Sequence, residues 1–414
     1  MGNDESAAND ESSGFQVSAP GYYYDEYSSE SSSNPALNTK YSRIDGTNIQ
    51  DFMNDNPLED EDGGTMIRAS IAKMPYNGIW SIRHPEGKAP HPRTAHFTAY
   101  SDELRTIFVG YGKRKNGQLL NDVWAFDVDD MKWTKLKLKG DKIQPRCGAV
   151  ATMMGNYIVV FGGTDGNICF AQLHTIDVTS GEVLIADTRG VQPAPRFNPV
   201  IAIYRKRLYI WGGADGNSVN QLNVLDFATM KWGIVSTDVP SRPNGAWAVH
   251  KQRIFVYGGS TSKDFVVVDM KNNSVVEVPS QGAQPKPGVV FPGMVKVGNY
   301  LLFFGGKANS RFNLVYACEL STLWWFVFFV APDGETTSLS DGKLSTDGLF
   351  ELPRTDSFST VYDPVKREVL AFLGHPHKIA VPIFVLSIGQ ALSFLNLRED
   401  MMAMLEMELE SANE

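Results

Sequence analysis

The chain has 414 residues, 43% hydrophobic and 21% charged, the proportions of an ordinary globular protein with room for two average domains or one large repeat fold. Its net charge of −9 is concentrated at one end: residues 1–62 hold 14 acidic and 2 basic side chains, and the remainder nets +3. A near-neutral body behind an acidic tail gives no electrostatic case for nucleic acid, no apolar run reaches the length of a membrane helix, and the N-terminus lacks the basic and apolar regions of a secretory signal.

Residues 1–75 are rich in Ser, Asn, Asp and Glu and keep no period. Too few apolar side chains are present to offset the entropy of ordering, so the segment reads as a disordered acidic tail. Tyr22, Tyr23, Tyr24 and Tyr27 lie among acids and serines, a composition that suits acidophilic kinases. Ile49–Met53 has the form of a short docking motif. The opening Met-Gly-Asn-Asp-Glu-Ser matches the myristoylation pattern at Gly2. One acyl chain beside Asp4 and Glu5 gives only marginal membrane binding, so no stable insertion is expected. Cys147, Cys169 and Cys318 form no C-x-x-C, and each sits in or beside an apolar strand. They read as thiols of a reducing, cytoplasmic compartment.

From residue 76 the chain repeats. A glycine pair or its equivalent closes an apolar run at Gly112, Gly162–Gly163, Gly212–Gly213, Gly258–Gly259, Gly305–Gly306 and Gly374. The first five are 51, 50, 46 and 47 residues apart, and the sixth follows after 68. Upstream of each stands Pro-Arg or a near relative: Arg93, Arg146, Arg196, Arg242, Lys286 and Arg354 mark the units. Downstream, a second apolar run ends in an acid: Asp127, Asp177, Asp226, Asp269 and Glu319. Six residues after each acid comes a bulky apolar residue: Trp133, Val183, Trp232, Val275 and Trp325.

Each unit therefore holds four short strands, and the whole reads as all-β. The second strand is apolar at nearly every position, which requires burial on both faces. Four-stranded sheets packed around an axis satisfy that and leave only short edges. The acid suits a turn in which its carboxylate accepts backbone N–H groups.

This series of Pro-Arg, Gly-Gly, Asp and Trp resembles the kelch repeat. The resemblance covers residues 78 to about 390 and implies a six-bladed kelch β-propeller of four-stranded blades. Tyr111 and Leu373 replace the first glycine in blades one and six, blade four inverts the dipeptide, and blade five has Lys286. Trp80 precedes Arg93 by the same 13 residues that separate Trp133 from Arg146. Ile79-Trp80-Ser81 thus reads as a fourth strand without its first three, able to complete blade six and close the ring. From about Gly389 to Glu410, apolar residues keep helical spacing and a helix is expected, so that 391–414 forms a C-terminal helix and tail. The run Trp324–Val330 reads as a strand buried between blades five and six and that helix.

Loops between second and third strands share one face with the loops between blades. That face collects the irregular residues: Lys113, Arg114 and Lys115 in blade one, Asp165 and Asp215 in turn sequences, Lys307 to Arg311 in blade five, and the long connection 331–352. The arginines at 93, 146, 196, 242 and 354 would ring the channel mouth there and grip an acidic peptide, or else serve the motif structurally. His375 and His377 are the one close histidine pair, and no further ligands mark a metal site. No cofactor is implied. The expected role is a monomeric, non-catalytic protein-interaction module. A cytoskeletal, actin-binding protein and a propeller enzyme or small-ligand binder are the alternatives.

Overall fold

In the computed structural model the described residues are 77–217, 219–307, 314–332, 336, 343–344, 350–351, 356–375 and 381–387. Residues 1–76, with Gly2, as well as Arg311, Arg354, His377, the segment 388–414 for which a helix was expected, and most of the connection 331–352 lie outside them.

Six blades repeat one order of four antiparallel strands. Blade one is Phe97–Ser101, Thr106–Gly110, Val123–Asp127 and Lys132–Lys135. Blade two is Cys147–Met154, Tyr157–Thr164, Leu173–Asp177 and Glu182–Ile185. Blade three is Val200–Tyr204, Arg207–Trp211, Gln221–Asp226 and Lys231–Ser236. Blade four is Gly245–His250, Arg253–Gly258, Phe265–Asp269 and Ser274–Val278. Blade five is Gly293–Val297, Tyr300–Phe304, Leu314–Glu319 and Trp324–Pro332. Blade six is Ser359–Asp363, Glu368–Phe372 and Ile383–Ser387, completed by Asn77–Arg83.

The repeat chemistry explains this order. After exposed Tyr157, every residue of the second strand to Thr164 is buried, because a blade packs on each side of it. The bulky fourth-strand residues Trp80, Trp133, Val183, Trp232, Val275 and Trp325 are all buried. Asp127 Oδ1 accepts the amides of Asp129 and Asp130 at 2.9 and 2.8 Å, and Asp177, Asp226 and Asp269 do the same. Glu319 reaches the amides of Ser321 and Thr322 with its longer arm. These carboxylates satisfy turn donors that would otherwise lack a partner.

At Gly162 the backbone has φ +72°, and a Cβ there would stand 2.5 Å from the carbonyl oxygen of Arg196. A side chain is excluded by conformation and by space. Gly112, Gly163, Gly212, Gly213, Gly258, Gly259, Gly305, Gly306 and Gly374 share the left-handed backbone. So do the two departures from the pattern, Tyr111 at φ 63° and Leu373 at φ 60°.

The ring closes as the sequence indicated. Trp80 pairs antiparallel with Leu386, and its side chain is fully buried beside Phe304 of blade five. On its other side the closing strand pairs parallel with Phe329–Pro332. Of the run Trp324–Val330, Trp325 packs among Tyr257, Phe265 and Phe303. Phe326 joins the core that holds Trp80. Both are buried, but Trp325 faces blade four and not blade six, and the helix expected beside this run lies outside the described residues.

One element was not anticipated. Seven residues after the bulky fourth-strand residue, the linker to the next blade runs briefly parallel to that blade's fourth strand. Gly140 pairs with Val183, Gly190 with Trp232, Gly282 with Trp325, and Pro332 with Trp80. Glu86 bridges Lys132 in the corresponding place. Each of these five segments thus covers the outer edge of its blade, which removes an unpaired row of backbone groups. Cys147 and Cys318 are buried, Cys169 is half-buried, and all three are free thiols.

Candidate functional site

Loops between second and third strands lie beside the loops between blades. Thr94 and Lys113 exchange backbone hydrogen bonds, as do Phe197 and Ala214, Val290 and Lys307, and Asp356 and His375. This makes one face of the disc.

The motif arginines are not displayed on it. Arg93, Arg146 and Arg196 are at most 1% exposed, and Arg242 is 4% exposed. Arg146 donates from Nε to Gln144 O, from Nη1 to Gly162 O at 3.2 Å and from Nη2 to Gln172 Oε1 at 3.1 Å, with its Cζ 3.9 Å from the Phe170 ring centre. Arg196 repeats the set with Ala194 O, Gly212 O and Gln221 Oε1. Arg93 donates to His91 O and Tyr111 O and forms a two-pronged ion pair with Asp122, the shorter bond 2.7 Å. Arg242 donates to Asp264 O and Glu277 Oε1.

Each guanidinium therefore ties the entry of a first strand to the loop that follows the second. The channel-mouth grip expected at Arg93, Arg146, Arg196 and Arg242 is replaced by this structural role, because their donors are taken up inside the chain. Burial pushes Arg196 down to about 10 and lowers Arg146. Burial alone would raise the Asp122 carboxyl, but the Arg93 hydrogen bonds and charge hold it below the usual value.

The loop residues divide differently. Lys113 is partly buried, and desolvation lowers its pKa. Arg114 donates to Gln118 Oε1 and lies 3.0 Å from His91 Nδ1. Lys115 is exposed at the loop tip. Asp165 accepts the amides of Asn167 and Ile168, and Asp215 accepts that of Asn217. These acids shape their turns, and Asp215 stays exposed. Ile168, which the sequence reading did not single out, is 55% exposed at the tip of blade two's loop. His375 Nδ1 lies 3.9 Å from Asp356 Oδ2. No group of three or more metal-ligating side chains occurs among the described residues.

Between the first strands lies a cavity of about 360 Å³ along the axis, lined by His96, Thr98, Asn198, Trp247, Phe291 and Ser359 among others. His96 Nε2 is 2.6 Å from Ser359 Oγ, which also contacts Thr98 Oγ1. Burial and then the Arg93 charge push His96 down to about 3, so the ring is neutral at physiological pH. Around the entrance the backbone forms a hydrogen-bonded series. Gly148 N donates to Ala95 O, Asn198 N to Gly148 O, Phe291 N to Asn244 O, and Ser357 N to Phe291 O. Ala95, Asn198, Phe291 and Ser357 take positive φ to make it. In blades one to three the sequence signal was position, two residues after each motif arginine.

Comparison with known proteins follows this geometry. The KLHDC2/KLHL20/DRC7 Kelch-repeats domain matches residues 71–259. Kelch domain-containing protein 10 of Xenopus tropicalis is 24% identical over 296 residues, covering 65% of this chain and 71% of that protein. The leucine-zipper-like transcriptional regulator 1 homolog of Drosophila melanogaster is 26% identical over 272 residues, covering 60% of this chain and 28% of that protein. Acyl-CoA-binding domain-containing protein 5 of Arabidopsis thaliana is 30% identical over 160 residues, 38% of this chain. The chain spans about a quarter of the length of these last two.

Proposed function

We propose, from the premise that this chain is a kelch-repeat β-propeller, that it is a non-catalytic interaction module holding a protein partner on its loop face. The observation that carries this reading is a division of labour. Motif arginines are buried and committed to the scaffold, while exposed loop tips on the same face present mixed chemistry: Lys115, Ile168 and Asp215. An exposed isoleucine beside charged tips is the pattern of an apolar anchor with a polar rim. Relatives named for their kelch domains support an adaptor role by analogy only, since one fold hosts many functions.

The test is affinity capture from cytosol with the full chain and a Lys115→Glu/Ile168→Asp variant. Thermal melting of the variant should match that of the parent, because both side chains are clear of the core. Loss of a partner that the parent retains is the expected result. An unchanged set of captured proteins sinks the reading. A second reading rests on the axial cavity and its His96, Thr98 and Ser359 cluster, which suits a small polar ligand. Mass spectrometry of the purified chain under non-denaturing conditions tests it, and a ligand-free mass rejects it.

A further inference from the structure

Among the described residues, five blades have their outer strand covered by a segment of the chain, and blade four has none. Among the described residues no strand or bridge lies on the outer edge of Ser274–Val278. The cause is linker length. Thirteen residues run from Trp80 to Arg93, from Trp133 to Arg146 and from Val183 to Arg196, but ten from Trp232 to Arg242. The covering position, Val239, instead packs on the core between blades three and four.

The covered blades identify the backbone groups left open. Lys139 N donates to Gly181 O, and Asp141 N to Val183 O, each at 2.9 Å. Gln281 N donates to Leu323 O at 3.1 Å, and Ala283 N to Trp325 O at 2.9 Å. Ile185 N donates to Asp141 Oδ2 at 2.8 Å. Val275 pairs with Val268 in the register by which Val183 pairs with Ile176. The matching groups of blade four are the carbonyls of Asn273 and Val275 and the amides of Val275 and Glu277. The strand has no proline or lysine to blunt its edge, and Val276 is 47% exposed on it.

We propose that this edge is a strand-addition site for an extended segment of a partner polypeptide, laid parallel to Ser274–Val278 with a glycine opposite Val275. The covering segments show the chemistry required. Lys139-Gly140-Asp141, Arg189-Gly190-Val191 and Gln281-Gly282-Ala283 each place a long polar residue before a glycine with φ between 83° and 87°. A Cβ on these glycines would lie 2.5 or 2.6 Å from the carbonyl oxygen of the strand residue opposite. At these three positions a side chain is excluded by the approach and the backbone conformation; only blade six, where Pro332 stands opposite Trp80 at the end of a longer four-residue pairing, departs from the glycine. An acid after the glycine can accept the Glu277 amide as Asp141 accepts that of Ile185. Main-chain bonds supply the affinity, and the glycine supplies selectivity. The site lies on the outer rim, so it stands or falls independently of the loop face.

The probe is a peptide of the chain's own covering segment, Leu136–Ile143, added to the full protein and followed by amide hydrogen exchange. Saturating peptide should slow exchange at Val275 and Glu277, and Gly140→Val in the peptide should weaken its binding about tenfold, equivalent to about 1.4 kcal/mol. Glu277→Pro in the protein removes one edge donor and should abolish the slowing at Val275, whereas Glu277→Ala, which loses the same side-chain bond from Arg242 but keeps the amide, should retain it. Absence of slowing, or equal slowing with the valine peptide, overturns the proposal. Protection of these amides before peptide is added overturns it too. Independence of protein concentration would then assign the edge to another segment of this chain, and dependence to a second copy.

Discussion

Arg105 fastens the first blade to the last, and removing it tests how much the ring depends on that join. It lies in the turn between the first two strands of blade one, and Asp363 ends the first strand of blade six. Arg105 Nη1 and Nη2 each donate to one oxygen of Asp363 at 2.9 Å, while Nε and Nη2 also hold Asp129 at 2.7 and 2.8 Å. Asp363 is 1% exposed and Arg105 21%. Arg105→Met keeps much of the volume and deletes every donor. Breaking a buried pair by removing one partner costs roughly 3–5 kcal/mol, and the partial exposure of Arg105 lowers the expectation to about 2–3 kcal/mol. Asp363 also keeps its hydrogen bond from the Val365 amide. Burial alone would raise the Asp363 carboxyl, but the hydrogen bonds from Arg105 and from the backbone, together with the Arg105 charge, hold it below the usual value. A depressed folded pKa gives stability that is complete above the unfolded value of about 3.9 and is lost as pH falls through the folded value. Urea unfolding should therefore separate parent and variant most at neutral pH, and the gap should narrow below pH ~4. Adding Asp363→Asn should restore about 1–2 kcal/mol by removing the stranded charge. A loss under about 1 kcal/mol, the scale of an exposed pair, or a gap that does not depend on pH, would refute the reasoning.

Four further outcomes follow from the same geometry. His174 is buried with Nε2 2.7 Å from the Tyr111 hydroxyl, and burial with the Arg146 charge pushes it down to about 3. Its contribution is complete above pH ~6.5 and falls by about 1.4 kcal/mol per pH unit below that, so His174→Gln should flatten the acid limb of an unfolding profile by this amount. Trp80→Ala, at the closing strand, should cost about 3–5 kcal/mol in urea unfolding, and removal of residues 76–85 should abolish cooperative melting. Gly282→Ala puts a Cβ 2.5 Å from the Trp325 carbonyl oxygen at φ +84°. It should cost about 1–3 kcal/mol by the same measurement.

The sequence carried the scaffold because its constraints are local and repeated. A glycine with no room for a Cβ, an acid that fills a turn, and a tryptophan six residues on each report a fixed neighbourhood. The closing strand was legible because Trp80 keeps the 13-residue offset to Arg93 seen in complete units. The motif arginines were harder to place. Their type and spacing suit an anion grip and a scaffold tie equally, and only the burial of Arg146 against Phe170 and Gly162 O separates the two. Gly87, Gly140, Gly190 and Gly282 stand seven residues after Trp80, Trp133, Val183 and Val275. That signal for the covering segments was in plain view, but it lay in linkers, outside the strand pattern. Ile168 had no pattern to betray it, because an exposed loop tip is not held by the packing that repeats from blade to blade.

Photo-crosslinking from single positions in cytosol addresses the loop-face claim most directly. A photoreactive residue at 115 or 168 stands on the proposed face, while one at Tyr157 or Val365, both exposed beside first-to-second-strand turns, stands on the opposite face. The account predicts a discrete protein adduct from 115 and 168 and none from 157 and 365. The same adduct from 157 or 365, with none from 115 and 168, would contradict it.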